Sequence, residues 1–377
     1  MSAVQSALVV GGGVAGTAAA ILLADAGINV ELVEIWPSVT ALGSGITLQG
    51  NSLRVFRQLG VLDECLHHGY AFDTLKIRSA GPNPGVLGSV ESVPSGGADL
   101  PSTMGMYRPD LAAILIRRAE DAGATIRTGV SPRALADDGQ GVNVTFTDDS
   151  VGRYDLVVAA DGIHSSMRDM LGLKVEERET GLGIWRVFAP RPPEVTGAEL
   201  FYGGSKCIYA GYTPTSETSL YAHITEDGQD RSGLSPAEQI DVIRQLSSDL
   251  HGPWDAIRDS VVDASQINYT RTTTHLLPAP WNKGRTVVIG DAAHTCPPTI
   301  AQGAAMGLED ASVLVELLVA HDDLTDEVWD KFMQRRFERA RTVVDSSHQI
   351  GQWQRNREEG DVPALMSEVL TLVSEPA

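Results

Sequence analysis

Residues 7–34 read A-L-V-V-G-G-G-V-A-G-T-A-A-A-I-L-L-A-D-A-G-I-N-V-E-L-V-E. Ala7 to Val10 is an apolar run with the length of a buried strand. An alanine-rich helix follows and stops at Gly27, a residue suited to the left-handed end of a helix. Asn29 to Val33 reads as the next strand with Glu34 at its end, so the stretch is a βαβ unit. Between the first strand and the helix stands Gly11-x-Gly13-x-x-Gly16. The first glycine permits the tight turn, the second lets backbone approach a pyrophosphate, and the third lets helix and strand pack closely. Val14 and Ala15 complete the turn that would face the phosphates. Glu34 follows Gly16 by 18 residues; a carboxylate there can accept hydrogen bonds from both hydroxyls of a ribose and disfavours a 2′-phosphate. Alone, the glycines would be weak evidence. With strand, helix and acid in place, the unit is expected to bind FAD or NAD rather than NADP.

Two further elements repeat the strand-then-turn design. Val287 to Ala311 reads V-V-I-G-D-A-A-H-T-C-P-P-T-I-A-Q-G-A-A-M-G-L-E-D-A: a buried strand, Gly290-Asp291, then a loop reaching a helix start near Gln302-Gly303. Such a start aims free N–H groups and the positive end of the helix dipole into the loop. His294 reads more economically as a hydrogen-bonded structural histidine than as a catalytic base. Leu156 to Ala160 is another buried strand, ending at Asp161-Gly162.

At 377 residues the chain is long enough for a large core and two closely connected domains. Hydrophobic content of 42% and charge of 21% are ordinary for a soluble enzyme. A net charge of −20 argues against nucleic acid as a partner and is otherwise explained by solubility. Cys65, Cys207 and Cys296 lie far apart without a C-x-x-C pair. No disulfide framework and no metal site is expected, and a reducing cytoplasm is the natural compartment. No signal peptide precedes the first strand, which begins by about Ser6. The longest apolar helix, Ala311 to Ala320, contains Glu316 and is too short to span a bilayer, so no membrane partner is expected. Gly43 to Asn51 reads as a glycine-rich loop, Ser52 to Leu59 as a helix, Gly81 to Pro101 as an exposed excursion, and Asp110 to Ala122 as a helix introduced by Arg108-Pro109. From about Leu171 to His275 the pattern changes. Ile184–Ala189, Lys206–Tyr212 and Ser219–Ile224 read as strands of an antiparallel sheet inserted into a parallel α/β body, with Pro236 to Leu250 helical. Trp329, Phe332, Met333, Phe337, Ala340 and Val344 recur at helical spacing as a core stripe.

In this order the motifs resemble those of the single-component FAD-dependent aromatic hydroxylases, the family of 4-hydroxybenzoate, salicylate and 6-hydroxynicotinate hydroxylases. The resemblance runs over nearly the whole chain, from about Ala7 to Val344. Besides the first unit it rests on Asp161-Gly162-Ile-His-Ser165-Ser-Met-Arg168, which matches the family's D-G-x-x-S-x-x-R pattern, and on Gly290-Asp291 with Pro298, Gln302-Gly303 and Glu309-Asp310. It implies that Asp161, Gly162 and Arg168 lie near the FAD pyrophosphate and the path of the nicotinamide, with Arg168 able to neutralise phosphate. It implies that Asp291 binds the ribityl chain, that Pro298 lines the flavin near its oxygen-reacting carbon, and that Arg108 contacts FAD. Gly43-Ser44-Gly45-Ile46 would run along the flavin. The helix start at Gln302, Gly303 and Ala304 would face the negative charge of the reduced ring. The implied fold is a Rossmann-like FAD-binding domain (1–70, 106–170 and 276–324), an antiparallel-sheet substrate domain (71–105 and 171–275) and a C-terminal helical segment (325–377).

The implied reaction has two halves. NADH or NADPH, bound transiently without a second G-x-G-x-x-G, reduces FAD. Reduced FAD then captures O2 as a C4a hydroperoxide whose distal oxygen is attacked by a small, electron-rich aromatic or heteroaromatic substrate. Water must be excluded. The inserted sheet is the expected substrate platform, with Tyr209, Tyr212, Tyr221 and His223 on its strands. Tyr221 and His223 share a face and are candidates to accept or relay a phenol proton. Arg186 is a candidate to anchor a carboxylate or sit near the flavin. The plain alternative for each is a half-buried sheet residue. No thioredoxin-like third domain of the phenol hydroxylase branch is expected, and these residues hold no W-x-W-x-I-P motif of flavin halogenases; the nearest segment is Gly183-Ile-Trp185-Arg186. A monooxygenase of a larger polycyclic compound, a non-oxygenating FAD oxidoreductase and a non-catalytic dinucleotide sensor are the competing readings. Oligomeric state stays open between monomer and homodimer.

Overall fold

The computed structural model describes residues 2–39 and 44–377. Its first sheet has six strands. Ser6–Val10 is flanked in parallel by Leu156–Ala159 and Asn29–Glu34, and beyond these lie Thr286–Val288 and Thr125–Thr128; Asn282–Lys283 closes one edge antiparallel. Ala7, Leu8, Val9, Leu156, Val157 and Val158 are wholly buried, as the central strands of a sheet covered on both faces must be. The carboxyl ends of Ser6–Val10, Leu156–Ala159 and Thr286–Val288 lead to Gly11, Asp161 and Gly290, so the three glycine-bearing turns open at one edge. That edge is where open α/β sheets bind ligands.

The helices Val14–Asp25 and Gly303–Ala320 pack on one another over this edge. They meet where Ala15 lies against Gly290 and Gly307. A Cβ on either glycine would fall 2.8 or 2.9 Å from the Ala15 Cβ. Small side chains thus bring the first and third turns together.

A second sheet has eight strands. In spatial order they are Val86–Glu91, Thr74–Ser79, Ala198–Tyr202, Tyr209–Pro214, Ser219–Asp227, Arg178–Pro190, Ile267–Leu276 and His294–Thr295. All neighbours are antiparallel except Ala198–Tyr202 with Thr74–Ser79. One face carries Trp185, Val187, Phe201, Tyr212, Ala222 and Ile224 beneath the helices Pro236–Leu246 and Pro253–Ser260. Strand alternation sends Arg186, Phe188, Tyr209, Tyr221 and His223 to the other face. The small sheet of Gly45–Gln49, Thr103–Tyr107 and Tyr70–Phe72 packs there. A Cβ on Gly45 would lie 2.3 Å from that of Tyr221.

Several local expectations change. Gly45–Gln49 is a strand, not part of a loop, because Ile46 and Leu48 are buried in register with Met106 and Met104; Gly43 lies outside the described residues. The excursion 81–101 contains an edge strand, Val86–Glu91, with its apolar side chains exposed. Residues 132–154 form a separate three-stranded meander. The apolar stripe lies on the helix Asp326–Asn356, where Trp329, Phe332, Ala340 and Val344 are buried. No helix among the described residues is long and apolar enough to cross a membrane.

Candidate active site

At the first turn Gly11 has φ +106, and a Cβ there would sit 2.4 Å from the Ala160 carbonyl oxygen. A Cβ on Gly16 would sit 2.0 Å from the Gly11 oxygen, which is the close helix–strand contact expected of the third glycine. Gly13 differs from both. It is the N-cap of Val14–Asp25, has extended backbone and no side-chain cap, and its added Cβ would meet nothing within 4 Å. The helix therefore begins uncapped before open space, with the N–H groups of its first turn unpaired by the helix itself, the arrangement that receives an anion. Ala15 contributes backbone only, since its methyl group packs on Gly290 and Gly307. The Glu34 carboxylate is fixed at the rim: Oε2 accepts from the Gly12 N–H at 2.8 Å and Oε1 from the Trp36 N–H at 3.0 Å. Each oxygen retains a lone pair for a ribose hydroxyl.

At the second turn Gly162 has φ +80. The Asp161 carboxylate accepts from Ser165 Oγ at 2.5 Å and the Met167 N–H at 3.0 Å, so it helps start the helix Ser166–Leu171. Arg168 is engaged within the protein. Its guanidinium donates to the carbonyls of Ala292 at 2.7 Å and Ile163 at 2.8 Å and touches His275 Nε2 at 3.0 Å. It is 5% exposed and braces the second turn against the third.

At the third turn Gly290 has φ +61 and donates its N–H to Asp310 Oδ2 at 2.9 Å. His294 Nε2 lies 2.6 Å from the same oxygen, both side chains buried, which is the structural role expected of that histidine. Burial pushes the Asp310 carboxyl up, but His294 and Arg336 outweigh it and hold the group at about 2. The neighbouring Asp291 carboxylate accepts no hydrogen bond among the described residues and is open to the cleft. Across from it Arg108 donates to the Gly45 carbonyl at 3.2 Å. Desolvation and then Arg186 draw Arg108 below its ordinary value, while Tyr221 and Asp291 oppose them, so these four side chains share one electrostatic neighbourhood.

Pro298 opens a single 3-10 turn, Pro298–Ile300, and is exposed. Ala301 takes φ +54, and Gln302 then occupies the N-cap position of Gly303–Ala320 without a side-chain cap hydrogen bond. The Gln302 side chain is 1% exposed and bonded to Gln49 Oε1 at 2.6 Å and to both ends of the Asn51 amide. It serves the protein's interior, so what this helix start offers a ligand is backbone N–H at Gly303 and Ala304. Gln49 and Asn51 were hidden inside a stretch read as loop.

On the sheet face, Tyr221 and His223 stack with ring centroids 5.5 Å apart, and Tyr209 meets His223 edge-on at 5.9 Å. Arg186 pairs in register with His223 and donates to Thr270 Oγ1 at 2.6 Å. Tyr107 and Phe188, which sequence reasoning missed, stack at 4.1 Å beside them. Burial, helped by Arg186, pushes His223 down to about 3, so it is neutral.

Tyr212 does not join this group. It is 1% exposed on the opposite face, donates its hydroxyl to Glu199 Oε2 at 2.6 Å, and packs near Phe201 and Trp254. Tyr209 and Tyr212 are an odd number of residues apart, and alternation puts them on different faces. Tyr212→Phe is therefore expected to lower stability by about 1–2 kcal/mol, the cost of one buried hydrogen bond to a carboxylate, with turnover per folded molecule unchanged. Denaturant unfolding and steady-state assays check the two halves.

An uncapped glycine turn, a rim carboxylate at ribose distance in sequence, and a second helix start across a cleft define a dinucleotide-binding flavoprotein with an attached sheet platform. A family model described as FAD binding domain matches residues 4–347, and the chain belongs to that family, the single-component FAD-dependent aromatic hydroxylases. It is 31% identical over 367 residues to 2-heptyl-3-hydroxy-4(1H)-quinolone synthase of Pseudomonas aeruginosa, covering 93% of this chain and 90% of that protein. It is 28% identical over 371 residues to 6-hydroxynicotinate 3-monooxygenase of Pseudomonas fluorescens, covering 93% and 92%. Among solved structures, the tetrameric form of 2-methyl-3-hydroxypyridine-5-carboxylic acid oxygenase superposes with a TM-score of 0.81 at 25% identity over 97% of this chain and 96% of that one. Klebsiella pneumoniae HpxO, complexed with FAD and uric acid, shares the fold with a TM-score of 0.83 at 20% identity over 98% and 92%. The residues present fit FAD: the open cradle at Gly13, Glu34 at the rim and the unpartnered Asp291 carboxylate provide for its phosphates and hydroxyls.

Proposed function

We propose that this flavin monooxygenase takes electrons from NADH or NADPH and uses O2 to hydroxylate an electron-rich aromatic or heteroaromatic compound. The substrate would lie between the Arg186–Tyr221–His223 face and the turn at Pro298. The observation that carries this reading is the contact of Gly45 with Tyr221 while the Gly45 carbonyl accepts from Arg108 at 3.2 Å, which joins the sheet face to the cofactor cleft. Bound FAD supplies two-electron transfer and the activation of O2. One oxygen atom enters the ring and the other leaves as water, the nicotinamide providing the electron pair. Around it, Tyr107, Phe188 and Tyr221 provide aromatic walls that exclude water.

The ring's reactivity rises when its hydroxyl is ionised. His223, titrating near 3, cannot hold a proton taken from a phenol near 10. In this reading His223 orients the substrate as a neutral hydrogen-bonding group, and the positive field of Arg186 and Arg108 favours the anion. The stability sign follows. A histidine depressed on folding contributes stability above its unfolded value near 6.5, and that stability is lost as pH falls toward about 3. The melting temperature should therefore fall from pH 7 to 4, and less steeply in His223→Asn; equal slopes would count against a neutral, buried His223.

The functional test is anaerobic reduction of the FAD-loaded protein by NADH and NADPH with phenols, hydroxypyridines, aminobenzoates and 4-quinolones, followed by product mass under 18O2. Acceleration by one compound and one labelled oxygen in its product are expected. Flavin reduction without oxygen transfer to any of them would favour a non-oxygenating oxidoreductase.

A further inference from the structure

Beneath the turn at Pro298 lies a buried ionic network. Arg339, 5% exposed, holds Glu309 through Nε at 2.7 Å and Nη2 at 2.8 Å. Glu309 Oε1 accepts from Asn51 Nδ2 at 3.1 Å, and the same Nδ2 donates to Gln302 Oε1 at 2.9 Å. Gln302 stands at the N-cap position of Gly303–Ala320, immediately before its free N–H groups, and its partner Gln49 also donates to the Ile300 carbonyl at 2.7 Å. On its other side Arg339 donates to the carbonyls of Leu372, Val373 and Glu375, at the end of the helix Val362–Ser374. Cations are favoured at that end of a helix dipole. Arg54 grips the Ser374 carbonyl beside it at 2.9 Å. Val369 and Val373 of this helix pack in one cluster with Ile300, Ala305 and Met306. The helix thus backs the cofactor turn twice, through apolar contact and through Arg339.

We propose that Arg339 is a positioning residue for the flavin. Clamped between Val362–Ser374 and the chain Glu309–Asn51–Gln302, it fixes the start of Gly303–Ala320 against the ring edge that gains negative charge on reduction. This rests on the FAD reading of the cleft. Backbone N–H groups aimed at that edge favour the reduced form only while their placement holds.

The test is a spectroelectrochemical titration of the FAD-loaded protein and its variants. Arg339→Met and Asn51→Leu should each lose about tenfold in the preference for reduced over oxidised flavin, a fall of about 30 mV for a two-electron couple, and should shift the flavin absorption band. The double variant should match either single one, since both cut one path, and Arg339→Lys should recover part of the loss. Asn51→Leu leaves the Arg339–Glu309 pair intact and carries the test should Arg339→Met fail to fold. Lower melting temperatures with unchanged potential and spectrum would overturn the proposal, leaving Arg339 purely structural. Asp291→Ala separates this from the reading beneath it: weakened FAD binding there with unchanged potentials in the other variants sinks only the positioning role, whereas unaltered FAD binding sinks the placement of the cofactor.

Discussion

Gly13→Asp is expected to abolish FAD binding while leaving the protein without cofactor as stable as before, or slightly more so. The two effects separate because Gly13 is unlike the glycines around it. Gly11 and Gly16 have carbonyl oxygens at 2.4 and 2.0 Å from any added Cβ, so substitution there disrupts the fold itself. Gly13 has φ −71 and ψ 178, a conformation open to any residue, and nothing lies within 4 Å of its missing Cβ. It also stands at the N-cap of Val14–Asp25, where aspartate is among the preferred residues and outperforms glycine by a few tenths of a kcal/mol. The same carboxylate would fill the space and cancel the positive potential that a pyrophosphate needs. The FAD dissociation constant should rise at least ~1000-fold, about 4 kcal/mol. Fluorescence titration of the cofactor-free protein measures that rise, and thermal melting of the same sample checks the fold. Retained FAD affinity would show that the phosphates lie elsewhere.

The turns were legible because each rests on local chemistry. A strand that ends in glycine before a helix leaves unpaired N–H groups wherever it occurs, and the spacing from Gly16 to Glu34 is set by one helix and one strand. Features that depend on tertiary partners were less legible. Nothing local to Arg168 reveals that the carbonyls of Ile163 and Ala292 converge on it. Gln302 likewise turned inward to Gln49 and Asn51. Two further features were within reach of the sequence. The separation of Tyr209 and Tyr212 already excluded a common face. Arg336 falls on the stripe of Trp329, Phe332 and Ala340, and a charged residue inside an apolar helical stripe signals a buried ion pair.

That buried arginine carries the largest expected effect on stability. Arg336 is wholly buried, with Nε 2.8 Å from Asp310 Oδ1 and Nη1 2.9 Å from Glu309 Oε2. Arg336→Met keeps much of the volume and removes the charge, leaving two adjacent buried carboxylates with only His294 and Arg339 to oppose them. The expected loss is about 3–5 kcal/mol, the usual cost of breaking a buried pair from one side. The acid response should move with it. Asp310, held at about 2 in the intact protein, contributes stability that is present above its unfolded value near 4 and disappears as pH falls through about 2. Without Arg336 its folded value rises, so that loss should set in at higher pH. Asp310 also holds the Gly290 N–H, and Gly290 precedes the Asp291 carboxylate at the cofactor cleft. FAD affinity should therefore drop as well, with excess FAD restoring part of the stability by mass action. Adding Asp310→Asn to Arg336→Met, which leaves the Arg339–Glu309 pair balanced, should recover some of the lost stability, because the uncompensated charge rather than the missing contacts dominates the cost. Urea unfolding of the single and double variants between pH 5 and 8 decides it: a double variant less stable than Arg336→Met would mean that the network's hydrogen bonds, not its charge balance, hold the third turn in place.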